Sequence, residues 1–223
     1  MDLAKMIDHT FLKAAGEPDA VRRLCREAKR LGFASVCVNP AEVALAARLL
    51  RRSGVKVCTV VGFPLGQNTT EVKVFEALDA MARGAEELDF VVNQRLLKHD
   101  PAACAAELAA IVSACRGREP SVTLKLILEC CNLTDAEKRL GCRLAKKAGF
   151  DFVKTSTGFG SGGATVADVR LMRRSVGPKT GVKAAGGIRD RPTALAMVAA
   201  GATRLGTSAG RQLLPCVPAR PRA

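Results

Sequence analysis

The chain has 223 residues, 48% of them hydrophobic, and a formal net charge of +14. That length suits one domain with a full core. No stretch approaches the roughly eighteen apolar residues of a membrane-spanning helix, and the opening MDLAKMIDHT lacks the pattern of a signal peptide, so the expectation is a soluble cytoplasmic protein without membrane contact.

Short β-branched runs alternate with longer amphipathic runs along the chain. Strands are predicted over 5–10 (KMIDHT), 34–39 (ASVCVN), 56–62 (KVCTVVG), 87–93 (ELDFVVN), 122–129 (VTLKLILE), 151–156 (DFVKTS), 181–186 (GVKAAG) and 203–208 (TRLGTS). Helical periodicity fills 18–31, 40–53, 68–83, 101–116, 134–148, 165–174 and 192–200. Thr134 followed by Asp135 and Glu137 is a helix start, and Gly32, Gly54, Gly84, Gly149 and Gly201 are helix stops. Eight strands alternating with helices predict a parallel sheet closed into a single TIM (β/α)8 barrel over residues 1–210. A doubly wound sheet would carry a glycine-rich nucleotide loop after its first strand, and IDHTFLKAAGEP lacks the G-x-G-x-x-G spacing. Residues 211–223, rich in proline and arginine, predict an irregular or disordered tail.

Nine cysteines without a C-x-x-C pair, and only two histidines (His9 and His99), fit neither a zinc site nor a disulfide scaffold. Flanked by apolar residues, most of the cysteines predict small buried hydrophobes in a reducing compartment. The basic residues fall on helix faces (Arg22, Arg23, Arg26, Lys29, Arg30; Arg48, Arg51, Arg52). With no Trp or Tyr to stack on bases, they predict a solvated surface that attracts anionic substrates, and no nucleic-acid partner.

In such a barrel, chemistry gathers at the C-terminal ends of the strands. The polar residues predicted there are Asp8 and His9, Cys37 and Asn39, Asp89 and Asn93, Lys125 and Glu129, Lys154, and Lys183. Alternation along a strand makes Asp89, Val91 and Asn93 share one face, as do Phe152 and Lys154 on theirs. If Asp89, Lys154 and Lys183 point inward, a structural ion pair accounts for only one lysine, and two lysines suggest a tuned site. Burial and a neighbouring ammonium both lower a lysine's pKa, and a move from about 10.4 toward 7 amounts to roughly 4–5 kcal/mol. Packing gains nothing from that cost, whereas a neutral amine nucleophile requires it. Gly186 and Gly187, and then Gly206 with Ser208, follow the last two strands, where backbone N–H groups commonly hold phosphate.

IDHTFLK, VGFPLG, ELDFVVN, LKLILE, FVKTSTGFG, VKAAGGIRD and LGTSAG, in that order over residues 7–210, resemble the strand-end motifs of the deoxyribose-phosphate aldolase family. The resemblance implies a class I aldolase that reversibly cleaves 2-deoxy-D-ribose 5-phosphate to D-glyceraldehyde 3-phosphate and acetaldehyde. It implies no metal or organic cofactor, a phosphosugar as the partner molecule, and a homodimer. It makes Lys154 the Schiff-base lysine, Lys183 the second lysine beside the proton relay, and Asp89 the relay carboxylate. Gly158, Gly186, Gly187, Gly206 and Ser208 match phosphate contacts, and Lys125 and Asp8 match further polar positions of the pocket. Local context alone does not separate the two VK lysines. Three departures bear on rate and phosphate affinity: Cys130 and Cys131 where Thr-Gly is frequent, Ala209 where a second serine is common, and the lack of any tyrosine.

Overall fold

The computed structural model describes residues 2–17, 19–118 and 121–215. Eight parallel strands form a closed barrel in sequence order, with the last pairing the first. They are β1 (Ile7–Phe11), β2 (Ser35–Val38), β3 (Lys56–Val61), β4 (Glu87–Val91), β5 (Thr123–Ile127), β6 (Phe152–Lys154), β7 (Gly181–Ala185) and β8 (Arg204–Thr207). Around them lie α1 (Ala20–Leu31), α2 (Val43–Leu50), α3 (Thr70–Ala82), α4 (Gln94–His99), α5 (Pro101–Arg116), α6 (Asp135–Ala148), α7 (Val166–Val176), α8 (Arg191–Ala199) and α9 (Gly210–Leu213). The predicted single TIM barrel is the observed fold. Among the described residues no helix is long and apolar enough to cross a membrane.

The helices form where the capping chemistry allows. The Thr134 hydroxyl accepts from the Glu137 N–H, and the Glu137 carboxylate accepts from the Thr134 N–H, closing a capping box on α6. Gly149 ends that helix at φ 99°, a left-handed turn open to glycine, and its N–H reaches the Ala145 and Lys146 carbonyls.

Three segments depart from the sequence expectation. Residues 40–42 form a tight 3-10 turn opened by Pro40, so the helix starts only at Val43 and ends at Leu50, before Gly54. The strand expected to reach residue 93 stops at Val91, because Asn93 caps a helix that the sequence reading missed. The Asn93 side chain accepts from the Leu96 N–H, and Asp100 then caps α5, with Pro101 at its first position. Lastly, the barrel domain runs past residue 210: α9 buries Leu213 in the core, while residues 216–223 lie outside the described residues.

Alternation along each strand separates two environments. Val36, Leu88, Phe90, Leu124, Leu126, Val153, Val182 and Leu205 are buried in the main apolar core with the helices. Fully burying one such side chain contributes about 1.5–3 kcal/mol. Inside the barrel, Leu12, Cys37, Cys58 and Val60 pack with Phe63 as a small apolar cluster on the β1–β3 side. The rest of the interior, from β4 round to Asp8 of β1, carries charge. Outside the barrel, buried Lys73 of α3 bonds the Glu107 carboxylate (2.8 Å) and the Val91 carbonyl (3.1 Å), fixing α3 and α5 against the end of β4.

Seven of the eight described cysteines are buried, as expected, and Cys131 is exposed. Burial pushes the thiols of Cys104 and Cys115 up to about 11, so they remain neutral packing groups. The expected basic faces of α1 and α2 are exposed at Arg22, Arg23, Arg26, Lys29, Arg30 and Arg48.

Candidate active site

Strand register assembles the charged cluster. Asp89 pairs in register with Lys125, Lys154 with Lys183, and Lys183 with Arg204. Asp89 sits at the centre, fully buried, and receives three ammonium groups at 2.8 Å each: Lys125 on one carboxylate oxygen, Lys154 and Lys183 on the other. Lys183 also contacts Asp8 at 2.5 Å, and Lys125 contacts Glu87 at 2.7 Å. Arg204 closes the lower side, with Asp8 at 2.6 Å and Glu87 at 3.0 Å. With every group ionised, four cations (Lys125, Lys154, Lys183, Arg204) face three carboxylates (Asp8, Glu87, Asp89), a surplus of one positive charge.

The electrostatics follow from that packing. Burial works against the Asp89 charge, but the three ammonium groups overcome it and hold the carboxyl well below the usual range. Burial likewise opposes the charge on Lys183, yet Asp8 and Asp89 outweigh it and hold the ammonium well above its ordinary value. Lys125 is raised in the same way, against burial, by Asp89 and the neighbouring Cys58, Glu87 and Asp8 groups. The expectation that crowding lowers a lysine's pKa therefore fails for Lys183: two carboxylates within bonding distance matter more than burial.

Above this cluster opens a cavity of about 350 Å³ at the C-terminal mouth. Of the three lysines, Lys154 alone lines it, together with Gly158, Gly186, Gly187, Gly206 and Ser208. Those predicted positions do converge. Lys125 and Asp8, expected in the pocket, do not line it; both are fully buried beneath it, tied into the ion-pair network. His9 turns outward to Glu27 (2.9 Å), and Asn39 and Asn93 lie at helix starts rather than in the cavity.

The loops are braced by short hydroxyl side chains. The Thr155 hydroxyl donates to the Ala185 carbonyl (3.0 Å) and accepts from the Ala185 N–H (3.1 Å), locking the end of β6 to that of β7. The Thr207 hydroxyl donates to the Ile188 carbonyl (2.6 Å), tying the end of β8 to the loop after β7. Gly163 is glycine of necessity, because a Cβ there would lie 2.4 Å from the Gly186 carbonyl oxygen. Among the described residues, the amides of Gly158, Gly186, Gly187 and Ser208 have no hydrogen-bond partner, leaving donors at the cavity wall. Such donors suit a phosphate dianion, and Lys13 and Arg189 line the same cavity and add positive charge.

The sequence reading missed Glu87 and Arg204. Glu87 could have been found, since alternation puts it on the face of Asp89; Arg204 opens its strand and resembles any surface arginine. The structure also brings Cys37, Cys58 and Asp89 close together in the barrel, a convergence that sequence spacing could not show. Asp89 is already enclosed there by three ammonium groups, an unfavourable setting for a cation.

Fold and site together define a (β/α)8-barrel enzyme of the aldolase class. The model of the DeoC/LacD family aldolases matches residues 3–214, and the chain belongs to that family. The deoxyribose-phosphate aldolase of Bacteroides thetaiotaomicron is 56% identical over 213 residues, covering 95% of this chain and 89% of the relative. That of Carboxydothermus hydrogenoformans is 54% identical, covering 95% and 93%. The solved deoxyribose phosphate aldolase of Aeropyrum pernix, described as tetrameric, superposes with a TM-score of 0.88 at 37% identity, over 95% of this chain and 88% of that one.

Proposed function

We propose that the protein is a class I aldolase that reversibly cleaves 2-deoxy-D-ribose 5-phosphate to D-glyceraldehyde 3-phosphate and acetaldehyde. The observation that carries this reading is the position of Lys154: it is the one cluster lysine that lines the cavity, and its amine bonds Asp89. A bound phosphosugar would present its aldehyde carbon to that amine with its phosphate toward the amides of Gly158, Gly186, Gly187 and Ser208 and the loop at Gly206. Remote phosphate binding then holds the reacting carbon in place.

Lys154 attacks the carbonyl, and loss of water gives a protonated imine. The imine accepts the electron pair of the C2–C3 bond as the C3 hydroxyl gives up its proton, releasing glyceraldehyde 3-phosphate. The remaining enamine is protonated at carbon, and water hydrolyses the imine to acetaldehyde, freeing Lys154. Asp89 is the group placed to relay protons to and from the amine, directly or through one water. Lys183, held charged between Asp8 and Asp89, keeps Asp89 ionised and oriented. Lys125, Asp8, Glu87 and Arg204 are scaffolding for this pair.

The mechanism calls for no metal or organic cofactor. The same reading takes the protein as a cytoplasmic homodimer acting on a small phosphosugar, and the aldolase family membership supports the aldolase part of it. Light scattering tests the dimer. The decisive assay is aldol cleavage of 2-deoxyribose 5-phosphate with and without a chelator. Turnover that survives chelation supports the imine route; turnover restored only by added metal contradicts it.

A further inference from the structure

Glu129 stands just after β5, outside the proposed catalytic set, in a conformation that a glutamate rarely adopts: φ is 54° and ψ 68°, in the left-handed region. Nothing in the turn requires a side chain there, and glycine would adopt it more readily. Yet the carboxyl group is buried and bonds Thr157 in the loop after β6, with the Cys131 thiol a longer donor at 4.0 Å. It accepts from the Thr157 N–H (3.3 Å) and from the Thr157 hydroxyl. That hydroxyl oxygen in turn accepts the Phe159 N–H (3.0 Å). Of the three successive amides at 157, 158 and 159, the outer two are thus consumed internally, and Gly158 alone is left to donate. Gly158 has φ 89° and open space where a Cβ would stand, and it lines the cavity between Thr157 and Phe159.

Glu129 is itself held. The Gln94 side-chain amide donates to the Leu128 (2.7 Å) and Glu129 (3.1 Å) carbonyls, and its oxygen accepts from the Asn132 amide (3.1 Å). Gly160 leaves the room the carboxyl group occupies, since a Cβ there would lie 3.0 Å from Glu129 Cδ.

We infer that Glu129 is a positioning residue for phosphate recognition: by pinning Thr157 it fixes the turn that presents the Gly158 amide, and so sets the enzyme's preference for the phosphorylated sugar. This rests on the proposed phosphosugar aldolase activity. It concerns discrimination between substrates, whereas Lys154 and Asp89 concern the bond-breaking step.

The test compares the parent enzyme with Glu129→Gly, Glu129→Gln and Thr157→Val, measuring kcat and KM on 2-deoxyribose 5-phosphate and on 2-deoxyribose. Glu129→Gly keeps the backbone shape and deletes the carboxyl group. Its KM for the phosphosugar should rise about tenfold, as for one mispositioned hydrogen bond, with kcat changed less than about threefold and the preference for phosphate falling about tenfold. Glu129→Gln keeps an acceptor for the Thr157 N–H and should lose less. Thr157→Val should lose a comparable amount, and combining it with Glu129→Gly should add little. Inhibition by inorganic phosphate should weaken in step. If Glu129→Gly fails to fold, the Glu129→Gln and Thr157→Val pair reads the same coupling. An unchanged preference in the folded variants overturns the inference, as does an equal loss of kcat on both sugars. A parent enzyme that cleaves neither sugar overturns the aldolase reading instead, so the two failures are distinguishable.

Discussion

Replacing Asp89 with asparagine removes the one anion shared by three ammonium groups at 2.8 Å. In the parent the barrel interior holds four cations against three carboxylates; in Asp89→Asn it holds four against two. The folded variant can relieve this by releasing one proton from the cluster, at a cost of about 1.4 kcal/mol for each unit that the pH lies below a lysine's ordinary value of about 10.4. The destabilisation should therefore be about 3 kcal/mol at pH 8 and about 2 kcal/mol at pH 9, within the range for breaking a buried pair. The sign follows from proton counting in the cluster: there the folded variant binds one proton fewer than its unfolded chain, so its penalty relative to the parent shrinks as pH rises.

In that window the ion-pair cluster adds little slope to the parent. The buried thiols of Cys25, Cys104 and Cys115, pushed up to about 11 from 9.0, make both proteins less stable as pH rises, a loss that cancels in the difference between them. Asp8 and Asp89 are depressed, so their contribution is complete above the ordinary carboxylate value of 3.8 and is lost only as pH falls toward their folded values. Lys125 and Lys183 are raised, so theirs is complete below the ordinary lysine value of 10.5 and is lost only as pH rises through their folded values. Urea unfolding of both proteins at several values between about pH 7 and 9.5 measures the difference directly. A penalty below about 1 kcal/mol at pH 8, or one that does not change with pH, would refute the reasoning.

Lys183→Met removes a cation that orients Asp89 but leaves the Lys154 amine at the cavity; turnover should fall by about 10²–10³-fold while imine trapping stays detectable by mass spectrometry. Ser208→Glu adds a carboxylate among the free amides of the cavity wall; the KM for 2-deoxyribose 5-phosphate should rise at least about tenfold in steady-state kinetics. Thr134→Ala opens the capping box of α6 at a residue that does not line the cavity, and should lower stability by about 1 kcal/mol in urea unfolding with turnover changed less than about twofold.

The barrel was legible because parallel strands buried on both faces read as runs of Val, Leu and Ile bounded by glycine. Helix α4 was not, since Asn93 follows two valines without a break and only its bond to the Leu96 N–H makes it a cap. Alternation exposed the Asp89–Lys154–Lys183 set, yet it could not say which lysine reaches the cavity. The two pair in register, and only the contact with Asp8 distinguishes buried Lys183 from Lys154. For the same reason Lys125 and Asp8 read as pocket residues, although partners on other strands hold them below it. Glu129 showed no sign of its bond to Thr157, a contact across 28 positions of sequence that exists only when β5 and β6 lie side by side.

The central claim is that Lys154 forms an imine with the aldehyde. Borohydride reduction in the presence of acetaldehyde, followed by peptide mapping, tests it most directly. The account predicts a two-carbon adduct on the peptide carrying Lys154, with labelling and turnover both abolished in Lys154→Arg, because a guanidinium stays protonated. An adduct on Lys183 or Lys125 instead, or cleavage activity with no adduct at all, would contradict it.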